Sequence, residues 1–192
     1  CCAAILRLAY LYQAQGTPVF EVLLIDSDFY HRTALHISAG NWLGDAVFFM
    51  NPFYAYFLAL IYSAVGAEPW LVALLQAGMG TASCALVYGI ATLSWGERPG
   101  LWAAGFMALY GVLVFYDGSL LTATPILFLN LCALYAIMRW ESAGRAHWLY
   151  MAGIALGLSA TARPTVLLFA VALVMWCIKQ AGSWRAGLSA WV

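Results

Sequence analysis

The densest group of chemically capable side chains is the run Asp26-Ser27-Asp28-Phe29-Tyr30-His31-Arg32. Two carboxylates so close together can divide acid–base work. One accepts a proton from an attacking hydroxyl or amine as general base. The other orients it, raises its pKa by like-charge repulsion, or binds a divalent cation, for which His31 beside Asp28 is a candidate co-ligand. That cation is the one cofactor these residues suggest, and none is required by them. The same run also has a purely local reading. Thr33 to Ala39 is compatible with a helix that Gly40 ends, Asp26 or Ser27 is placed to cap it, and Asp28 stands four residues before Arg32, the spacing of a helical ion pair. An Asp-x-Asp pair arises often by chance, so its place in the chain carries more weight than the pattern.

That place is set by membrane-spanning helices. The chain has 192 residues, 65% of them apolar and 8% charged, with a mean hydropathy of +0.87. A soluble domain is about 45–50% apolar and about 25% charged, so a soluble globular domain and a disordered chain are both excluded. A formal net charge of zero excludes a strongly basic nucleic-acid binder, and no nucleic-acid partner is expected. In lipid an open backbone loses its hydrogen bonds, so the expected fold is all-α, a polytopic transmembrane helical bundle.

Five apolar segments follow the first loop: Trp70–Trp95, Leu101–Tyr116, Leu120–Met138, Trp148–Ala162 and Thr165–Ile178. Short connectors carrying Gly, Pro or charge separate them. Cys1 to Tyr12 is too short to span alone, since a span takes roughly 20 residues, and reads as the latter half of a first transmembrane helix. The expected organisation is 1–14 as the end of that helix, 16–69 as an outer loop with surface helices, and 70–180 as five transmembrane helices, together the N-terminal part of a longer catalytic domain. The five cysteines show no metal-ligand spacing and read as small packing residues.

Phe53–Val65 is apolar but short, bounded by Pro52 and Gly66, and rich in Tyr. Such a stretch suits the interface better than the bilayer core. Charge placement supports the choice. With Phe53–Val65 on the surface, Arg98, Arg139, Arg145, Lys179 and Arg185 share one side. Glu21, Asp26, Asp28, Asp45, Glu68 and Asp117 share the other, with Arg32 and Arg163. The basic side is cytoplasmic by the positive-inside rule, so the acids face outwards. If Phe53–Val65 spans, this segregation disappears.

The motifs, taken in order, resemble the membrane-embedded GT-C glycosyltransferases, in the branch of the protein O-mannosyltransferases and aminoarabinose lipid A transferases. They are Ile25-Asp26-Ser27-Asp28-Phe29-Tyr30-His31, the stretch from Val47 through Asn51-Pro52-Phe53-Tyr54 to Gly66, Gln76-Ala77-Gly78, the stretch from Leu109-Tyr110-Gly111 to Tyr116-Asp117-Gly118, and Thr161-Ala162-Arg163-Pro164-Thr165. The resemblance implies an outward-facing site on a multi-pass protein of the bacterial inner membrane. It implies a polyprenyl-phosphate sugar donor and a protein, lipid or glycan acceptor. It places the Pro-Tyr segment in a surface helix.

By the same resemblance Asp26 is the likeness of the family's catalytic base. Many relatives carry the second acid directly after the first, where this chain has Ser27 and then Asp28, so Asp26 and Asp28 both enter the catalytic set. Arg163, Arg32, Asp117 and Tyr30 form the expected substrate-binding set. Arg163 is the first choice to face the charge that develops on the leaving phosphate, with snorkelling as its ordinary alternative. Asp117 in Asp-Gly-Ser is equally an ordinary turn. Gly78-Met-Gly80 and Gly153 to Gly157 are read as close helix packing, and Gln76 and Asn130 as packing hydrogen bonds. Two other classes stay open at this point. A transporter usually places ionisable groups near the midplane, and the interiors of Trp70–Trp95, Leu101–Tyr116 and Leu120–Met138 carry none. A non-catalytic membrane scaffold is opposed only by the outer acids.

Overall fold

The computed structural model describes residues 2–17, 23, 25–43 and 50–189, the side chains of 177 and 180–189 excepted. Glu21, Asp45, the Val47–Phe49 part of the second motif and the side chain of Arg185 lie outside the described residues. Within them all regular structure is helical: α1 Cys2–Ala14, α2 Asp26–Ser38, α3 Pro52–Val65, α4 Pro69–Trp95, α5 Glu97–Leu109, α6 Gly111–Gly118, α7 Ala123–Ala143, α8 His147–Ala162 and α9 Val166–Ser189. The all-α bundle expected from the composition is the observed fold.

Helix boundaries follow local chemistry. Pro52 and Pro69 open α3 and α4, where a missing N–H costs nothing. Gly66 and Gly96, both at φ 94°, stop them in a conformation that side chains with a Cβ avoid. The connector around Pro99 is not a loop. α5 begins at Glu97, because a proline in the first turn removes no intrahelical bond. The expected span Leu101–Tyr116 is instead two helices bent by 55° at the extended residue Tyr110. Apolar periodicity runs unbroken through that bend and gives no warning of it.

α4 and α7 are each long and apolar enough to cross a membrane, and the bent pair α5–α6 makes a third such unit if it counts as one span. α3, with 14 residues, and α8, with 16, are shorter. The outward faces of α5 and α9 carry Leu101, Trp102, Phe106, Leu168 and Val171, all more than half exposed. Such faces suit lipid, where apolar exposure costs nothing.

Hydrogen bonds sort the helix ends. Gln76, near the start of α4, reaches the carbonyls that close α6, and Asn51 before α3 reaches the last carbonyl of α8. At the opposite ends Arg139 of α7 lies 5.5 Å from the Trp148 ring of α8, and Trp140 of α7 meets Trp176 of α9 edge-on. α2 and α3 pack on each other over a core of Tyr30, Ala34, Ile37, Tyr54, Leu58 and Tyr62, closed by Val72 and Leu120. This two-helix cap sits at the end of the bundle where α4 begins and α8 finishes.

Two small-residue expectations separate. Gly80 is a true close approach: a Cβ there would overlap the Asp117 carboxylate and the Arg7 guanidinium. Gly153 and Gly157 face open space, and α8 packs instead through Ala152, Ala155 and Ser159. Asn130 accepts from Ser159 Oγ at 2.8 Å and joins α7 to α8.

Candidate active site

α2 starts at the acids themselves, one position before the start that a cap at Asp26 would set. Asp26 and Asp28 occupy its first turn, where the helix dipole favours negative charge. Neither Asp26 nor Ser27 caps the helix; the cap position falls to Ile25, which makes no side-chain cap bond. Ile25 stands at φ 46°, ψ −99° and is 87% exposed. For a β-branched residue this is a strained conformation costing about 1–3 kcal/mol. Ile25→Gly relieves the strain and removes no buried contact. It is therefore expected to raise unfolding stability by about 1 kcal/mol once glycine's greater freedom in the unfolded chain is subtracted. An unchanged or lower thermal midpoint contradicts this.

Asp28 takes the local alternative. Its Oδ1 accepts from Arg32 Nε at 2.9 Å, with the Arg32 side chain 73% exposed. An exposed i,i+4 pair of this kind contributes only about 0.3–0.5 kcal/mol. Arg32 thus has a carboxylate partner within its own helix. His31 shares a 2.7 Å hydrogen bond between Nδ1 and the Tyr62 hydroxyl, and burial pushes the Tyr62 phenol up to about 12. Asp28 and His31 thus each have a protein partner, Arg32 and Tyr62. Among the described residues no three His, Cys, Asp or Glu side chains converge as a metal site.

Asp26 is exposed, and among the described residues it has no ion-pair partner. Tyr30, one turn on, is 7% exposed. Its ring meets Tyr54 edge-on at 5.0 Å. The Tyr30 phenol is raised above its ordinary pKa, first by burial and then by the negative charge of Asp26, while the positive charge of Arg163 pulls it down. Asp26 and Arg163, 137 positions apart in sequence, are thus both near enough for their charges to be felt at Tyr30. Arg163 is exposed, ends α8 in an extended conformation, and donates its backbone N–H to Ser159 O at 2.8 Å. Pro164 keeps Arg163 itself out of the helical conformation.

Asp117, read as a substrate contact or a turn acid, lies inside the bundle. It is 4% exposed. Oδ2 accepts from Arg7 Nε at 2.7 Å and Oδ1 from Thr124 Oγ1 at 2.8 Å. Both oxygens are committed inside the protein. Gln76, wholly buried, donates to the Asp117 and Ser119 carbonyls at 3.1 and 2.6 Å and accepts from Tyr54 Oη at 2.7 Å. A continuous polar thread therefore runs from α1 through α6 and α4 to Tyr54 of α3, whose ring packs on Tyr30. Sequence reading gave Arg7 no role. Its signal was present, because a single charge within the apolar segment Cys2–Ala14 requires a partner in lipid. It also means that the bundle does hold ionisable groups, so the absence of interior charge no longer separates an enzyme from a transporter.

The comparison with known families makes that separation. An α-helical multi-pass membrane protein with an acid-bearing cap is the class that fold and site define. Residues 50–191 match the family described as dolichyl-phosphate-mannose-protein mannosyltransferase. The match covers most of the chain, and the protein belongs to that family of membrane glycosyltransferases of the GT-C type. Arg163, Asp117, Asn51 and Gln76 lie inside the matched region, whereas Asp26, Asp28, Tyr30 and Arg32 precede it. No curated protein and no solved structure matches the chain.

Proposed function

We propose that the protein transfers mannose from a polyprenyl-phosphate donor to a hydroxyl of a protein acceptor on the outer face of the membrane. The observation that carries this reading is that the cap bearing Asp26 in its first turn is tied, through Asn51, to the helix end that presents Arg163, in a chain of the mannosyltransferase family. The step is a single displacement. The acceptor oxygen bonds to the anomeric carbon, the bond from that carbon to the phosphate oxygen breaks, and the acceptor proton passes to Asp26 as general base. The phosphodiester carries one negative charge and the departing phosphomonoester two. Arg163 answers this increase, which exists only as the bond breaks.

The two other acids take supporting parts. Asp28 holds Arg32 and the start of α2, while Asp117 neutralises Arg7 and ties the bundle beneath the cap. Tyr30, mostly buried and packed on Tyr54, fixes the helix pair that carries the base.

The outward orientation has its own test. With native cysteines replaced, Ser27→Cys in whole cells is expected to react with an impermeant thiol reagent added from outside. Labelling only after permeabilisation reverses the topology. The reaction is tested by incubating membranes containing the full-length protein with polyprenyl-phosphate-[14C]mannose and a Ser/Thr-rich polypeptide. Alkali-labile mannose on the polypeptide is the expected product; its absence removes this assignment.

A further inference from the structure

We infer that Asn51 is a positioning residue for Arg163, clamping the α8 terminus that presents the cation. The inference rests on the proposed role of Arg163 at the leaving phosphate. Asn51 occupies the cap position before α3, and Asn is among the best residues for bonding a helix's own free N–H groups. Here it makes no such bond. Its Nδ2 instead donates at 2.8 Å to the carbonyl of Ala162, 111 positions away. That carbonyl is one of the four that a helix end leaves without an internal partner. It also belongs to the peptide unit that joins Ala162 to Arg163, so fixing it fixes the backbone from which the Arg163 side chain springs. The N–H of that same peptide unit is held by Ser159 O.

α3 carries the rest of the clamp. One turn past Asn51, Tyr54 is pinned to Gln76 and packs on Tyr30. Two turns further, Tyr62 is bonded to His31 of α2. α3 is thus bonded at its start to the strand of chain bearing Arg163 and along its length to the helix bearing Asp26. The helix works as a rigid bar that sets the separation of cation and base. A misplacement of about 1 Å at such a site can cost about 100-fold in rate.

Asn51 is exposed and does not cap its own helix, so Asn51→Ala should leave the fold intact. In full-length protein assayed with polyprenyl-phosphate-linked mannose, Asn51→Ala is expected to lower kcat at least ~10-fold while KM for the donor changes less than ~3-fold, the pattern of an interaction felt mainly in the transition state. Asn51→Gln, which keeps the donor, should recover part of the loss. The decisive arm is the Arg163→Ala background, where residual turnover is measured in single-turnover format. There Asn51→Ala should cost less than about 2-fold, because the group it positions is gone.

Equal losses in both backgrounds, or no loss in the unaltered one, overturn the positioning role while leaving the reaction standing. A matching fall in the thermal midpoint with kcat per folded molecule unchanged makes Asn51 merely structural and also overturns it. No transfer by the unaltered protein overturns the reaction itself, and the positioning role with it.

Discussion

Arg7→Ala is expected to cost about 3–5 kcal/mol of unfolding stability, the cost of leaving a buried carboxylate without its counter-charge. The side chains of Arg7 and Asp117 are 1% and 5% exposed, and Thr124 is the carboxylate's other hydrogen-bond donor. No solvent reaches the site to replace the guanidinium. Asp117→Ala should cost a similar amount, since it strands the cation instead. Replacing both residues by apolar ones, as in Arg7→Met with Asp117→Leu, removes both desolvation penalties and should recover most of the loss. Thermal unfolding and monodispersity in detergent read these effects. Single variants within about 1 kcal/mol of the parent, well below what an orphaned buried charge costs, would show that the pair does not hold α1 to α6.

Asp26→Asn should lower transfer by about 10²–10⁴-fold, the range over which a positioned general base contributes, with insertion and accumulation unchanged. The amide is isosteric and occupies an exposed place in the first turn of α2, so nothing in the packing of the cap depends on its charge. Asp28→Asn supplies the contrast. It releases Arg32 from a pair that is weak because it is exposed, and its effect on rate should fall well short of that at Asp26. Equal losses at the two acids would mean that both touch the reacting atoms.

How much of this was legible in the sequence differs from element to element. The helical class and the Asp28–Arg32 pair rest on composition and on a spacing of four residues, and these survive as read. The start of α2 does not. Asp and Ser before a helical stretch ordinarily signal a cap, but here the strained Ile25 takes that position and turns both acids into the first turn. The break at Tyr110 is invisible because the sequence on either side is uniformly apolar. Long-range partners are the larger gap. Arg7 and Asp117 are 110 positions apart, as Asn51 and Ala162 are 111, and no local period relates them. Asp117 reads as a turn acid or a substrate ligand until the partner of its carboxylate is seen. Asn51 reads as an ordinary cap until its amide is found on another helix. In both cases the residue type announces a polar obligation, and only the fold shows where it is met.

The central claim is that Asp26 deprotonates the acceptor in a sugar transfer from polyprenyl phosphate at the outer face. Its most direct test uses full-length protein in sealed, right-side-out membrane vesicles, with polyprenyl-phosphate-[14C]mannose in the outer leaflet and an impermeant Ser/Thr-rich polypeptide outside. The unaltered protein should label the external polypeptide, and an equally abundant Asp26→Asn protein should not. External labelling that survives in Asp26→Asn, or labelling that appears only when the vesicles are opened, would contradict the account.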